Sequence, residues 1–268
     1  MPFHVPIPAL VLIAVFGLVF GSFLNVCIAR LPRHESLVRP GSRCPHCHQS
    51  IRPWQNIPLL SFLLLRGRCS GCQQSISWRY PLVEALTALF FVLAALRFGA
   101  NINGYGAMVF CFLLLGLAVM DLETLTLPNR FTLPGILLGL LWQAMLPAPT
   151  WLLRAEHLGW AATWGLIFAG FLWLARALYF LLRQREGLGL GDVKLIAMIA
   201  VWLGFAQAAE ALFVGVLAAA LFGLAILLRQ RRSGLRTQLP LGFFLCAAAL
   251  WTLLDGAPLL KWYLSFYR

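Results

Sequence analysis

Residues 7–29 read IPALVLIAVFGLVFGSFLNVCIA, a run of 23 residues without an acidic or basic side chain. About 20 consecutive apolar residues are enough for a helix to cross the hydrocarbon core of a bilayer. The run leads directly into Arg30 and Arg33, and no basic segment precedes it. We therefore interpret it as a retained first membrane span and not as a cleaved signal peptide.

The rest of the chain has a similar composition. Hydrophobic residues make up 61% of the 268 positions and charged residues only 11%, whereas soluble domains carry about 25% charged residues. The sequence therefore predicts an all-α polytopic membrane protein with about eight transmembrane helices. A short sixth span and an amphipathic tail leave seven or nine as alternatives, and no internal repeat is evident. The predicted spans are residues 7–29, 80–98, 105–120, 131–146, 158–182, 193–205, 208–228 and 239–254.

The net charge of +12 would indicate a nucleic-acid partner in a soluble protein. In a membrane protein, basic residues instead mark the cytoplasmic loops, so no nucleic acid is expected. Both termini are then predicted outside, with sixteen basic residues in four cytoplasmic loops and four basic residues outside. The sixteen are Arg30, Arg33, Arg39, Arg43, Arg52, Arg66, Arg68, Arg79, Arg130, Arg183, Arg185, Lys194, Arg229, Arg231, Arg232 and Arg236; the four are Arg97, Arg154, Lys261 and Arg268.

The largest of these loops, residues 31–79, is the one candidate for a domain outside the membrane. About fifty residues bury too little core to fold unaided, so we expect a cross-link or a bound metal ion to stabilise this loop. Two C-x-x-C pairs provide such an element: Cys44 with Cys47 and, after a gap of 21 residues, Cys69 with Cys72. Two such pairs at this separation predict one tetrahedral four-cysteine zinc site.

Other readings of the cysteines are paired disulfides, which the reducing cytoplasm disfavours, and free thiols. His46 and His48 could compete as ligands, but four cysteines already complete the coordination shell. Because four thiolates leave no position for a water molecule, we expect a structural zinc. The chain then divides into a first transmembrane helix (1–30), a cytoplasmic tetracysteine zinc domain (31–79) and a transmembrane core (80–268).

Two of the three aspartates lie at predicted helix ends on the cytoplasmic face. Asp121 ends the third span and Asp192 opens the sixth, after GLGLG at 187–191, whereas Asp255 falls on the outer side. A charged carboxylate at a membrane boundary is costly and marks a functional site by default. Two carboxylates close together would share a proton, so one could act on water as a general base and the other as a general acid. The alternative is that each aspartate caps a helix end.

Other catalytic patterns do not fit this chain. The G-x-G-x-G run at 187–191 follows an apolar span, whereas a dinucleotide-binding loop must follow a β-strand. The sequence contains neither H-E-x-x-H nor G-x-S-x-G, which disfavours a metalloprotease of that pattern and a serine hydrolase with a nucleophile elbow.

An ordered set of short motifs extends over nearly the whole chain. By this set the chain resembles the type IV prepilin leader peptidases, a class of G-x-G-D membrane aspartyl proteases. G-x-G-D alone is a weak signal, but the ordered set is specific. The motifs are GSFLNV at 21–26 with RLP at 30–32, SRCPHC at 42–47, WQNIPLLS at 54–61, RGRC at 66–69, RYPLVE at 79–84, Asp121 with LP at 127–128, GLGDVKL at 189–195 and PLGF at 240–243.

The resemblance implies an enzyme of the bacterial inner membrane that removes the short basic leader of prepilins or type II secretion pseudopilins at the cytoplasmic face. It also implies N-methylation of the newly exposed residue from S-adenosylmethionine. The catalytic pair corresponds to Asp121 and Asp192, and Gly189, Gly191 and Lys194 are expected to support the catalytic loop. The implied metal ligands are Cys44, Cys47, Cys69 and Cys72.

The match has one departure: residues 127–129 read LPN where many relatives have LPD. Glu123 is a neighbouring carboxylate without an assigned role. No soluble-type S-adenosylmethionine loop is visible, so no residue is assigned to the cofactor. The cysteine domain favours two activities, because shorter relatives with a single activity lack it; this step is analogy within the family.

Two rival functions remain open at the level of sequence. A presenilin-like intramembrane protease would need no zinc domain, so the four cysteines count against it. A non-enzymatic membrane assembly or transport protein would need no paired aspartates, and loss of either one would leave its function intact. The expected partners are a prepilin or pseudopilin substrate and the lipid bilayer, and the oligomeric state is not set by the sequence.

Overall fold

The computed structural model describes residues 5–185, 187–229, 239–256 and 258–266. Regular structure in these residues is helical, apart from two isolated bridges that pair Arg43 with Ser50 and Arg68 with Ser75. The elements are α1 (Ile7–Arg30), a 3-10 turn (Pro53–Asn56), α2 (Leu60–Leu64), α3 (Arg79–Phe98), α4 (Ile102–Thr124), α5 (Asn129–Met145), α6 (Trp151–Arg183), α7 (Leu190–Arg229), α8 (Leu241–Asp255) and α9 (Pro258–Ser265).

Helices α1, α3, α4, α6 and α7 are long and apolar enough to cross a membrane. Helix α8 is apolar but shorter, at 15 residues, and α5 has 17 residues. The predicted all-α, multi-pass class is confirmed, while the count of eight crossings stays a prediction. Four of the basic residues used to predict the topology lie outside the described residues: Arg231, Arg232, Arg236 and Arg268.

The boundary between the sixth and seventh predicted spans is shifted. Helix α7 covers both spans, and its helical geometry is interrupted only at Gly204, where φ is 73° and ψ is −175°. Glycine adopts a positive φ without the steric cost that a side chain would add. The boundary therefore falls at Gly204, not at residues 206–207 as the apolar pattern suggested.

The chain forms two compact units, Met1–Gly116 and Leu117–Arg268. This is a division by packing, and the functional division at residues 31 and 80 stays a prediction.

In the first unit α1 and α3 run antiparallel and in close contact. A Cβ atom on Gly17 would lie 2.5 Å from the Cα of Ala88, and one on Gly21 would lie 2.6 Å from the Cα of Glu84. Glycines one turn apart thus allow the two backbones to approach, as in many membrane helix pairs.

In the second unit the first half of α7 is the central element. Its residues from Val193 to Trp202 are almost all buried. Helix α7 as a whole packs against α5, α6 and α8. The Trp202 indole donates to the Gly135 carbonyl at 2.9 Å, and the Gln143 amide donates to the Val201 carbonyl at 3.2 Å. These two hydrogen bonds fix the first half of α7, which carries Asp192 at its start, against α5.

Candidate active site and metal centre

Asp121 lies in the last turn of α4 and is only 5% exposed. The chain leaves the helix directly afterwards, since the Leu125 N–H donates to the Asp121 carbonyl at 2.9 Å and Leu125 has a φ of 53°. The carboxylate itself is held from the start of α8, because the backbone N–H of Phe243 donates to its Oδ2 at 3.0 Å. A distant segment of the chain thus fixes the orientation of this side chain.

Gly242 lies against the same carboxylate. A Cβ atom at this position would lie 3.0 Å from both Cγ and Oδ2 of Asp121, and 3.1 Å from Cδ1 of Leu127. Contacts this short are tighter than ordinary van der Waals packing. A side chain at position 242 would therefore force the Asp121 carboxylate, Leu127 or the first turn of α8 to shift.

Asp192 lies in the first turn of α7 and is partly exposed. The Leu127 side chain contacts Gly191, the residue before Asp192, and also Gly242, which lies against the Asp121 carboxylate, so the structure places the two predicted catalytic residues near each other in the second unit. Each enters from a helix end: Asp121 from the C-terminal end of α4 and Asp192 from the N-terminal end of α7.

Leu127 joins the segments that carry the pair. A Cβ atom on Gly191 would lie 2.9 Å from the Leu127 Cβ, and the Leu127 side chain also contacts Gly242. A Cβ on Gly189 would lie 3.2 Å from Oδ2 of Asp192. The predicted supporting glycines are therefore positions at which the backbone packs closely against Leu127 or the Asp192 carboxylate.

Lys194, the third predicted supporting residue, contacts a different partner. Its Nζ donates to Oδ1 of Asn129 at 2.7 Å, so it ties the first turn of α7 to the start of α5. Asn129 is the position noted above as the one departure from the resemblance. Its neutral amide oxygen accepts this hydrogen bond, which is therefore not an ion pair. Glu123 is exposed on the last turn of α4 and has no role assigned.

The four predicted zinc ligands converge in the first unit. Their sulfur atoms all lie within 4.8 Å of one another. The Cys44–Cys72 and Cys47–Cys69 sulfur distances are 3.8 and 4.0 Å. In a tetrahedron with zinc–sulfur bonds of about 2.3 Å, neighbouring sulfurs are about 3.8 Å apart. The arrangement fits a four-thiolate zinc site, since no sulfur–sulfur distance exceeds the tetrahedral value by more than about 1 Å.

The two halves of this site are copies of one another. Residues 42–51 read SRCPHCHQSI and residues 67–76 read GRCSGCQQSI, and they align without a gap. The expectation that the chain has no internal repeat is therefore wrong for this loop. The same three backbone hydrogen bonds recur in each half: Cys44 N to Gln49 O (3.0 Å), His48 N to Cys44 O (3.0 Å) and Ile51 N to Ser42 O (2.9 Å), matched by Cys69 N to Gln74 O (2.8 Å), Gln73 N to Cys69 O (3.0 Å) and Ile76 N to Gly67 O (2.7 Å).

Two of the thiols have opposite ionisation tendencies. Backbone N–H groups of Cys72 and Gly71 lower the pKa of Cys69 to about 6. A backbone hydrogen bond from Gln74 lowers the pKa of Cys72, but desolvation and the neighbouring sulfurs outweigh it and raise the value to about 11. Four adjacent thiols do not all ionise unaided, whereas a divalent cation removes the repulsion and deprotonates its ligands.

Replacing Cys44 or Cys72 with serine is expected to lower bound zinc from about one ion per chain to near zero, because each removes one of four thiolate ligands. The measurement is elemental analysis of the purified protein. Cys111→Ala is the matched control, since this buried cysteine of the same unit lies outside the cluster and its loss should leave the zinc content unchanged. Full zinc occupancy in a variant lacking both Cys44 and Cys47 would reject these ligands.

Sequence reasoning did not place three positions beside the aspartates: Leu127, Gly242 and Phe243. The motifs LP at 127–128 and PLGF at 240–243 were visible, but nothing local indicated that they lie beside the aspartates. Phe243 acts through its backbone N–H, which every non-proline residue has. Gly242 lies close to a helix start, and a glycine at that place was the one sequence signal that another segment packs closely against the helix.

Two family models and several relatives match this chain. Residues 15–98 match the bacterial peptidase A24 N-terminal domain, and residues 108–226 match the type IV leader peptidase family. The chain is 39% identical to a prepilin leader peptidase/N-methyltransferase of Neisseria gonorrhoeae, covering 81% of this chain and 80% of that protein. It is 34% identical to the protein of that name from Aeromonas salmonicida strain A449, over 95% and 93% of the two chains.

A third relative with the same name, from Myxococcus xanthus, is 41% identical over 85% of this chain and 66% of that protein. No solved structure matches the chain. The two domain matches follow one another along the sequence, and the matches to the Neisseria and Aeromonas proteins each extend across most of both chains. On this evidence the chain belongs to the type IV leader peptidase family.

Proposed function

We propose that this chain is a membrane aspartyl endopeptidase that removes the basic leader of type IV prepilins or type II secretion pseudopilins, and that it methylates the new N-terminal residue. The observation that carries the proposal is that Asp121 and Asp192, at the ends of two separate helices, are brought near each other around Leu127, which contacts both Gly191 and Gly242. The names of the Neisseria and Aeromonas relatives, which combine leader peptidase with N-methyltransferase, support both activities.

In the proposed cleavage the two carboxyl groups share the proton transfers. One carboxylate takes a proton from water as the water oxygen bonds to the carbonyl carbon of the scissile peptide. The other carboxylic acid protonates the nitrogen as the carbon–nitrogen bond breaks. The N–H of Phe243 holds Asp121 in one orientation throughout, and positioning of this kind lowers the barrier by avoiding reorganisation.

The proposal places this site at the cytoplasmic face of the bacterial inner membrane, with both termini outside and eight crossings. Support comes from the excess of basic residues in the proposed cytoplasmic loops. Asp121 and Asp192 occupy helix ends that this topology puts on the same side. A substrate that still carries its basic leader in the cytoplasm would reach them there.

A cysteine placed at Thr150, the residue before α6, is expected to react with a membrane-impermeant maleimide in intact cells. A cysteine at exposed Val38 should react only after the membrane is permeabilised, because the positive-inside rule puts residues 31–79 in the cytoplasm. Labelling above the wild-type background is the measurement. The reverse pattern would put both aspartates on the wrong face for this substrate.

Zinc has a structural role in this proposal: it would be held by the four cysteines and would fix the fold of residues 31–79. S-adenosylmethionine would supply the methyl group to the amine that cleavage exposes. We assign no residue of this chain to holding that donor. The amine is itself the nucleophile once deprotonated, so methyl transfer does not need the aspartate pair.

Asp121→Asn is therefore expected to methylate a pilin supplied already cleaved, while leaving the leader on the full prepilin. Mass spectrometry of both substrates after incubation with purified enzyme and labelled donor is the measurement. In wild type, a competitive S-adenosylmethionine analogue should block methylation and spare cleavage. If wild type adds no methyl to either substrate, the methyltransferase half of the proposal is wrong.

A further inference from the structure

A cluster of apolar side chains lies exposed on the cysteine loop, residues 31–79. We call Leu60, Leu63, Leu64 and Trp78 the apolar patch; Leu63, Leu64 and Trp78 are 69, 73 and 75% exposed. The ring of Phe62 lies 4.9 Å from that of Trp78, which joins α2 to the residue that precedes α3. Exposed apolar side chains that cluster in this way mark an interaction surface.

One hydrogen bond fixes the patch beside α3. The backbone N–H of Leu59, just before α2, donates to Oε2 of the buried Glu84 at 2.8 Å. Glu84 lies five residues into α3 from Arg79, which is about 7.5 Å along the helix axis. Because α3 is long and apolar enough to cross a membrane, the start of α2 lies alongside the membrane helix and not beyond its end.

Another part of the same loop lies beyond the end of α1. The Asn25 side chain donates to the Tyr80 carbonyl at 3.0 Å, which aligns Asn25 with the start of α3. From there α1 continues to Arg30, about 7.5 Å further away from the body of α3. The Arg30 guanidinium donates to the carbonyls of Ser36 and Pro40 at 2.9 and 2.7 Å. The segment from Ser36 to Pro40 and the segment that begins α2 at Leu59 therefore lie at different heights along the helix axes.

The charge of the loop suits an anionic surface. Residues 31–79 contain seven arginines and a single acidic residue, Glu35. Arg66 and Arg68 follow α2 directly and are exposed. Arginine and tryptophan are common at membrane–water interfaces, and basic groups near the cytoplasmic leaflet are attracted to its anionic lipids.

We propose that the apolar patch inserts into the headgroup boundary of the bilayer while Arg66 and Arg68 bind anionic lipid headgroups, so that the cysteine loop is held against the membrane surface. Short amphipathic segments bind in this plane when apolar side chains enter the boundary and cations remain at the headgroups. The proposal depends on no particular reaction, so its test is separate from that of the proposed function.

The test places the photoreactive residue p-benzoylphenylalanine at Leu64 in the full chain, in vesicles of phosphatidylethanolamine and phosphatidylglycerol. Irradiation should yield lipid adducts detectable by mass spectrometry. The matched control is the same residue at Val38, which is 82% exposed but lies in the segment held by Arg30. The adduct at position 64 is expected to exceed that at 38 on the order of tenfold, because only position 64 reaches the headgroup boundary.

Equal adducts at the two positions, or cross-links from position 64 to a second protein chain, would overturn the insertion. In a second measurement, Arg66→Gln with Arg68→Gln is expected to lower the share of phosphatidylglycerol among the adducts at position 64. An unchanged share would overturn the role of the two arginines. Both labelled proteins must elute as the same species as wild type with the same helical circular dichroism, which separates these outcomes from misfolding.

Discussion

Asparagine in place of either Asp121 or Asp192 is expected to lower leader cleavage by about a thousandfold or more, since general acid–base catalysis contributes roughly 10²–10⁴-fold. The amide has the size of the acid but cannot take a proton from water or donate one to the leaving nitrogen. Because each group is activated through its partner, the double variant is expected to be little worse than either single one. The measurement is the rate of leader release from a purified prepilin.

The matched control for this experiment is Asp255→Asn, the same chemical change at the third aspartate. Asp255 is exposed at the C-terminal end of α8, so its variant should cleave at the wild-type rate. Correct folding is checked by the elution and circular dichroism of each variant. Near-normal turnover by a folded Asp121 or Asp192 variant would show that the pair is not the catalytic centre.

Alanine in place of Gly242 is expected to lower the cleavage rate by up to about a hundredfold, the loss that a misplacement of about 1 Å at a catalytic group can cause. The added Cβ would lie 3.0 Å from Cγ and Oδ2 of Asp121, so the carboxylate or the first turn of α8 must move. That movement would distort the Phe243 hydrogen bond to Oδ2. The measurement is kcat for prepilin cleavage, with substrate binding followed separately.

Gly170→Ala is the control for this change. A Cβ on Gly170, in α6, would meet no atom within 4 Å, so the substitution should leave kcat unchanged. Alanine is a better helix former than glycine by about 0.5–1 kcal/mol, so helix propensity does not predict unfolding of either variant. Equal activity of the Gly242 and Gly170 variants would show that close packing at Asp121 has no role in catalysis.

Local patterns in the sequence were sufficient for the class of fold and for the identity of the candidate ligands. The apolar run at 7–29 predicted α1 to within one residue at its C-terminal end, because the thickness of a bilayer alone determines how long such a run must be. The four cysteines were recognised from spacing alone, because a C-x-x-C knuckle holds two sulfurs at one ion wherever it lies in a fold. Their convergence in the structure agrees with that prediction.

Asp121 and Asp192 were also selected from sequence, on the basis of charge in an otherwise apolar chain. Helix ends were less certain: α6 begins at Trp151, seven residues before the predicted span. The side chain of Thr150 accepts the N–H of Leu153 at 3.3 Å and caps that helix. Apolarity indicates where a helix lies in the membrane, whereas a cap determines where it begins.

The sequence by itself thus determined the membrane class, the ligand set of the proposed zinc site and the two carboxylates. Only the tertiary structure decided what holds those carboxylates in place. Phe243 reaches Asp121 through a backbone N–H, and Leu127 packs against both Gly191 and Gly242. Such contacts join segments that are far apart in the chain. They depend on the distance between two backbones and on the direction of an N–H group, and local composition or hydrophobic period encodes neither.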